Sequence, residues 1–109
     1  MLKKRKYRNT PCVVDGISFH SKKEATRYND LLLCQRAGHI SNLILQPVFR
    51  IVINGKHVCK VIPDFSYIRT HTGELEVEDV KSPATRKEST YRLKKKLLEA
   101  CHDIVLVEV

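Results

Sequence analysis

The chain has 109 residues, of which 20 are Lys or Arg and 12 are Asp or Glu, so its formal net charge is +8. A chain of this length forms one small domain without a deep multi-layer core, since single domains usually span about 50–250 residues. No apolar run approaches the roughly 18 residues of a membrane-spanning helix, and no apolar stretch follows the charged start of the chain. We therefore expect neither a membrane partner nor a secretory signal.

The four cysteines, Cys12, Cys34, Cys59 and Cys101, are far apart in the sequence and form no Cys-x-x-Cys pair. This spacing argues against a zinc knuckle and favours free thiols. Because free thiols are typical of a reducing compartment, we expect a cytoplasmic protein.

The basic residues are concentrated in two segments. Residues 1–8 hold five cations and no acid, and residues 81–96 hold seven cations against Glu88 alone. The first segment predicts a flexible basic arm at residues 1–10, since like charges repel, and residues 11–109 are then the folded domain. The second segment is explained either by a solvated helix face or by contact with nucleic-acid phosphates. The candidate contacts are Lys3, Lys4, Arg5, Lys6, Arg86, Lys87, Tyr91, Lys94 and Lys95.

Turn and cap signals define the first elements. Asp15-Gly16 lies between two short stretches of β-type residues, and this dipeptide tolerates the positive φ angles of a tight turn, so we expect a β-hairpin at residues 13–19. Ser21-Lys22-Lys23-Glu24 has the Ser-x-x-Glu pattern of a capping box, and Gly38 is a stop signal. Together they predict a first helix over residues 21–37.

A long hairpin is expected after this helix. Residues 43–53 are rich in β-branched and aromatic side chains, and Asn54-Gly55 predicts a turn into a returning strand at residues 56–69. Pro47 and Pro63 interrupt the two strands. Because proline is tolerated in a sheet only at an edge or a bulge, we expect a bend at each of them.

Three further elements complete the domain. A third strand is predicted at residues 74–81, a helix at residues 87–101 from its stripe of apolar side chains, and a last strand at residues 104–107. The last strand is apolar on both faces, so we expect it in the interior of the sheet. The order helix, three strands, helix, strand predicts one α/β (α+β) domain, with a mixed sheet flanked by helices and a short hairpin before it.

Two acidic residues occupy positions where burial is costly. Asp64 lies in an apolar stretch of the second strand, and Asp79 lies in the third, on the same face as Lys81 because side chains alternate. If the strands bring Asp64 near Asp79, the carboxylates repel each other and a divalent cation resolves the repulsion. Oxygen donors alone, with the backbone carbonyl of Val80 among them, suit Mg²⁺ or Mn²⁺.

Lys81 beside such an ion could orient or deprotonate a water molecule, or offset charge on a phosphate, so the group indicates phosphodiester hydrolysis. Taken singly, two of its members have ordinary explanations. An ion pair with a strand neighbour such as Lys60 would explain Asp64, and an exposed strand end would explain Lys81.

Pro63-Asp64 followed by Asp79-Val80-Lys81 resembles the signature of the PD-(D/E)XK nuclease superfamily, and the predicted element order resembles its restriction-endonuclease-like αβββαβ core. Residues 6–109 are also similar to a small phage and prophage domain family of that superfamily. The resemblance implies that Asp64 and Asp79 bind the metal and that Lys81 assists the attacking water. The motifs that carry the wider similarity are Val14-Asp15-Gly16, Ser21-Lys22-Lys23-Glu24-Ala25, Leu45-Gln46-Pro47 and Glu78-Asp79-Val80-Lys81.

Three polar residues keep two explanations each. The resemblance implies that Glu24 reaches the metal directly or through water, whereas the capping box implies that it holds the Ser21 amide; we favour the first. A bulge could bring Glu78 to the metal in place of Asp79, although the spacing to Lys81 favours Asp79. For Gln46, we favour an ordinary strand residue over a site residue.

These observations predict a Mg²⁺-dependent endodeoxyribonuclease, with Mn²⁺ as a substitute ion, that acts in phage DNA processing. A domain this small has little surface for reading long sequences, which favours branched or junction DNA. A homodimer would supply two active sites for paired nicks, and a phage replication or recombination protein is a further expected partner. Two alternatives stay open: a nicking or transposon-end endonuclease subunit directed by a partner, and a catalytically silent DNA-binding module.

Overall fold

A computed structural model describes residues 12–109 of the chain. The predicted basic arm at residues 1–10, with Lys3, Lys4, Arg5 and Lys6, lies outside the described residues. In chain order, the elements are β1 (Cys12–Val14), β2 (Ile17–Phe19), α1 (Lys22–Arg36), β3 (Ile40–Leu45), β4 (Phe49–Ile53), β5 (Lys56–Val61), β6 (Phe65–Arg69), β7 (Leu75–Asp79), α2 (Pro83–Arg86), α3 (Ser89–His102) and β8 (Val107–Glu108).

Four strands form the central sheet, in the order β3-β6-β7-β8. Within it, β6 pairs antiparallel with β3 and with β7, and β8 is parallel to β7. Together with α1 and α3, these strands follow the order helix, three strands, helix, strand, so the predicted mixed α/β core is confirmed. The hairpin β1–β2 before it is confirmed as well. Within residues 12–109, no helix is long and apolar enough to cross a membrane.

The two longer helices pack on opposite faces of the central sheet. Leu31 of α1 lies in one buried cluster with Phe65 and Tyr67 of β6. Leu98 of α3 lies in a second cluster with Val77 of β7. Because Ser66 is the residue paired with Val77 and side chains alternate along a strand, Phe65 and Tyr67 point to the face opposite Val77. The sheet therefore has one hydrophobic core on each side.

Local signals explain both ends of α1. The side-chain Oγ of Ser21 accepts a hydrogen bond from the backbone N–H of Glu24 at 3.2 Å, which satisfies one amide of the first turn. At the other end, Gly38 adopts φ +84°, and the N–H of His39 donates to the carbonyl of Cys34 at 2.9 Å. The helix thus begins and ends within one residue of the predicted bounds.

The hairpin predicted over residues 43–69 is divided between two sheets. Its outer parts, β3 and β6, belong to the central sheet, whereas β4 and β5 form a separate two-stranded sheet closed by Asn54-Gly55. The chain leaves regular pairing at Pro47 and at Pro63, as predicted, because proline has no N–H to donate to a ladder. The inner face of this β4–β5 hairpin packs against the core beneath α3 through residues such as Ile51.

The prediction for the last strand is wrong. β8 spans only Val107–Glu108 and lies at the edge of the central sheet instead of in its interior. Val105 is 66% exposed and Val107 is 41% exposed, while Leu106 is buried. An apolar run does not show whether a strand has one neighbouring strand or two. Within the described residues β8 has one, the parallel strand β7. The short helix α2 lies where the sequence predicts no helix, and α3 begins two residues later than predicted.

Candidate active site

Asp64 and Asp79 face each other at the ends of neighbouring strands. β6 and β7 pair with Phe65 opposite Glu78, so the next pair in this register is Asp64 opposite Asp79. The N–H of Asp64 donates to Oδ1 of Asp79 at 2.8 Å, and the N–H of Val80 donates to Oδ2 of Asp64 at 2.7 Å. Each carboxylate accepts a hydrogen bond from the backbone of the other segment, and this exchange holds the two side chains together.

The backbone around Asp64 is joined to the bend that follows β3. The N–H of Gln46 donates to the carbonyl oxygen of Asp64 at 2.9 Å. Gln46 has φ +51° and an exposed side chain, and it lies just past the end of β3. The prediction of an ordinary strand residue is therefore wrong, because Pro47 ends the ladder here. The backbone of Gln46 positions Asp64.

Lys81 lies beside the carboxylate pair. Its Nζ is 4.0 Å from Oδ2 of Asp79 and 5.5 Å from the centre of the Tyr91 ring, and its side chain is 25% exposed. These contacts show that Lys81 is more than an exposed strand end. In the described part of the chain, Asp64 forms no ion pair with Lys60. Neither of the ordinary explanations for these residues therefore matches the structure.

Glu24 reaches the same site from the first turn of α1. Its side chain is buried, and Oε2 lies 3.9 Å from Nδ1 of His20. Within residues 12–109, no hydrogen bond joins this carboxylate to the Ser21 amide, so only half of the capping box forms. Glu24, Asp64 and Lys81 line one pocket of about 220 Å³, which we call the acidic pocket.

Glu78 points to the opposite face of the sheet. Arg27 of α1 binds its carboxylate with hydrogen bonds of 2.6 and 3.0 Å, and the hydroxyl of Tyr67 donates a third at 2.8 Å. The alternation of side chains along β7 separates it from Asp79, and no bulge interrupts the pairing of β7 with β6. Asp79 is consequently the β7 carboxylate that faces Asp64.

Burial raises the pKa of all three carboxyl groups of the site. For Asp79, burial together with the charge of Asp64 outweighs the Lys81 ammonium and raises the pKa to about 6. Burial also raises the pKa of Asp64, although the Val80 amide acts against it. The pKa of Glu24 is raised by burial and by the charge of Asp64. The site therefore concentrates negative charge that the surrounding protein balances only in part, and a cation would relieve it.

The donor set fits a hard divalent cation held by few protein ligands. Within residues 12–109, no three His, Cys, Asp or Glu side chains form a ready-made metal cage. Mg²⁺ does not need one, because it usually keeps several waters and binds one or two carboxylates together with substrate phosphates. Asp64 and Asp79 supply such a pair. Val80 lines the acidic pocket with Asp64, whereas Asp79 lines a second pocket that shares Lys81 with it. The backbone carbonyl of Val80 stays a predicted further ligand.

The predicted DNA contacts on α3 are partly engaged within the protein. The hydroxyl of Tyr91 donates to Oε2 of Glu108 at 2.7 Å, and Nζ of Lys95 lies 3.1 Å from its Oε1. Burial and the Glu108 hydrogen bond raise the pKa of Tyr91, so this hydroxyl stays protonated. Of the two candidates that precede α3, Arg86 is half-buried and Lys87 is exposed.

The structure adds residues that the sequence patterns do not single out. His20 and Lys23 line the acidic pocket, and Nζ of Lys23 donates to the carbonyl oxygen of Lys81 at 3.4 Å. Their positions beside Glu24 in the sequence are the only signal that could have indicated them. Lys60, which the sequence suggests only as a partner for Asp64, lines a second pocket with the predicted DNA contact Lys94, and no local pattern brings residues 34 positions apart together.

Fold and site thus define a small α/β protein with an acidic pocket that has a lysine at its edge. The chain belongs to the family described as "Protein of unknown function (DUF1064)", whose profile matches residues 4–107. No curated protein matches the chain, and no solved structure matches it.

Proposed function

We propose that this protein is a metal-dependent endodeoxyribonuclease that hydrolyses DNA phosphodiester bonds. The observation that carries the proposal is the convergence of Asp64, Asp79 and Lys81 from adjoining segments, with Glu24 of α1 lining the acidic pocket beside Asp64 and Lys81. Paired buried carboxylates next to an ammonium are the groups that metal-assisted phosphodiester hydrolysis requires. The αβββαβ order of the core agrees with the resemblance to PD-(D/E)XK nucleases.

Each residue has a role that follows from its position. Asp64 and Asp79 would hold Mg²⁺, or Mn²⁺ in its place, through the carboxylate oxygens that converge between the strands. When bound, the ion would supply positive charge next to the phosphate and so favour attack by water. Lys81 stabilises negative charge that develops on the phosphate and orients the water. Glu24 accepts a hydrogen bond from that water.

The wider surface supports DNA as the substrate and a limited reading of its sequence. The net charge of +8 attracts phosphates, and a domain of 109 residues has little surface for reading a long site. We therefore assign structure-selective cleavage of branched or junction DNA in phage DNA processing, with a homodimer providing paired nicks. None of the four cysteines forms a disulfide, which supports a cytoplasmic location.

A cleavage panel tests this function. Linear duplex, single-stranded, flapped and four-way junction DNA are incubated with the full chain in Mg²⁺, in Mn²⁺ and in chelator. We expect cleavage with either ion, none in chelator, and loss of cleavage with retained DNA binding in Asp79→Asn. Glu74→Gln is the matched control, because Glu74 is an exposed carboxylate in the turn before β7.

Two results would overturn the proposal. Binding of DNA without cleavage of any substrate in either ion would assign the chain to the silent binding modules. Cleavage that survives in Asp79→Asn would show that this site does not perform the reaction.

A further inference from the structure

A second pocket adjoins the acidic pocket and shares Lys81 with it. The second pocket has a volume of about 310 Å³ and lies between the end of β5 and the first half of α3. We call it the lysine pocket, because Lys60, Lys81, Lys94 and Lys95 all line it. Whatever binds there lies next to the residues that would cut DNA.

The cations of the lysine pocket are incompletely balanced. Lys95 is paired with Glu108 at 3.1 Å and Lys81 faces Asp79 at 4.0 Å, but Lys60 and Lys94 form no ion pair within residues 12–109. Two acids, Asp79 and Glu88, also line the pocket, so its lysines outnumber its carboxylates. The excess charge favours an anionic ligand.

The size and the apolar part of the pocket restrict the ligand further. Val61, Leu106 and the Tyr91 ring contribute apolar surface, and the ring is held in place by the Tyr91–Glu108 hydrogen bond. Pockets of roughly 300 Å³ are at the small end of those that enclose organic ligands. One nucleotide meets these requirements, since it combines an anionic phosphate with a flat, partly apolar base. A base pair is too large.

We propose that the lysine pocket binds one unpaired nucleotide adjacent to the phosphate that is cleaved. The proposal rests on the proposed nuclease function and names its substrate class, which is DNA with an unpaired nucleotide beside the cut, as at a flap or a branch point. Lys60 and Lys94 contact the nucleotide phosphate, and the base lies against Tyr91 and Leu106. Fully paired duplex offers no free base to the pocket and is the poorer substrate.

A binding experiment tests the pocket without cleavage. Deoxythymidine 5′-monophosphate and inorganic phosphate are titrated separately into the full chain in chelator, and the amide and side-chain NMR signals of α3 and β5 are followed. We expect the nucleotide to bind more tightly than phosphate, and Lys94→Ala and Lys60→Ala each to weaken nucleotide binding by about tenfold. Lys96→Ala in α3 and Lys56→Ala in β5 remove the same charge outside the pocket and should leave the affinity unchanged.

The outcomes separate this inference from the proposed function. Equal affinities for nucleotide and phosphate, or equal effects of the pocket and control variants, would overturn the nucleotide pocket. In cleavage assays, the inference predicts that Lys60→Ala and Lys94→Ala slow the cutting of flapped DNA by about tenfold more than that of linear duplex. Tight nucleotide binding by a chain that cuts no DNA would support the pocket and contradict the nuclease function.

Discussion

Two buried carboxylates that are neighbours in β7 differ in how their charge is balanced. Glu78 is 1% exposed and is held by Arg27 through hydrogen bonds of 2.6 and 3.0 Å. Asp79 is 4% exposed, and its ion-pair partner in the described part of the chain is Lys81, at 4.0 Å. The first residue ties α1 to the sheet. The second carries charge that the fold leaves partly unbalanced, which is expected of a site that binds a ligand.

The same contrast extends along the α1 face of the sheet. The Tyr67 hydroxyl also lies 2.7 Å from Glu76, and Arg69 binds Glu76 at 2.8 Å. The Arg69 hydrogen bond lowers the pKa of Glu76, whereas burial raises the pKa of Asp79 on the other face to about 6. Among the described residues, Glu76 and Glu78 therefore share a network of Arg and Tyr partners on the α1 face, whereas Asp79 on the other face has Lys81 as its ion-pair partner.

The largest difference between the Asp79–Lys81 pair and the Glu78 network should be in catalysis. We expect Lys81→Met to reduce the rate of DNA cleavage by about 10²- to 10³-fold, since it removes the ammonium that stabilises charge on the phosphate. Single-turnover cleavage of flapped DNA in Mg²⁺ measures this rate. Lys56→Met, at the exposed start of β5, is the matched control. A rate within threefold of that of the wild type would contradict the role given to Lys81.

The closed network should matter for stability. We expect Glu78→Gln to lower the free energy of unfolding by about 2–3 kcal/mol, because it leaves the partly buried Arg27 guanidinium without its anion. Urea unfolding followed by circular dichroism measures the change. Glu74→Gln, an exposed carboxylate, should change the free energy by less than about 0.5 kcal/mol. A loss of unfolding free energy no larger than that of this control would show that the Arg27–Glu78 ion pair does not stabilise the fold.

Short-range signals predict the parts of the fold and site that depend on neighbouring residues. The Asp15-Gly16 turn, the Ser21 cap and the bends at Pro47 and Pro63 are all present. Side-chain alternation predicts that Asp79 and Lys81 share a face, whereas the approach of Asp64 to Asp79 depends on the register in which β6 pairs with β7.

Features that depend on distant contacts could not be predicted in this way. Arg27 and Glu78 are 51 residues apart, and nothing near either residue identifies the other as its partner. The edge position of β8 and the approach of Lys60 to α3 likewise depend on how elements pack, which an apolar or basic run does not specify.

The raised pKa of Asp79 predicts how stability depends on pH in chelator. The folded state holds this proton up to about pH 6, whereas the unfolded state releases it near the ordinary value of 3.8. The contribution of Asp79 to stability is therefore fully present below about pH 4 and is lost as pH rises to about 6. We expect Asp79→Asn to be about 1–3 kcal/mol more stable than the wild type at pH 8, with no difference near pH 4.

Thermal unfolding of the two proteins between pH 4 and 8 checks this. Glu76 and Glu108 have lowered pKa values, so their contributions to stability change at pH values below the ordinary pKa of 4.5. The pH range above 4.5 is therefore the range in which the carboxyl groups of the site titrate. The difference between wild type and variant also cancels groups that the substitution does not touch. A constant difference across the whole range would mean that Asp79 is not the group that titrates.

The smallest effect is the stabilisation of the folded chain by metal alone. If Asp64 and Asp79 share an ion, 10 mM Mg²⁺ at pH 8 should raise the melting temperature of the wild type by a few degrees, because binding at about tenfold above Kd adds about 1.4 kcal/mol. The same addition should not shift Asp64→Asn/Asp79→Asn, whose neutral side chains no longer repel each other. Glu76→Gln retains both site carboxylates and should still respond. A shift that persists in the double variant would locate the ion elsewhere, and no shift in the wild type would remove the metal from the proposed site.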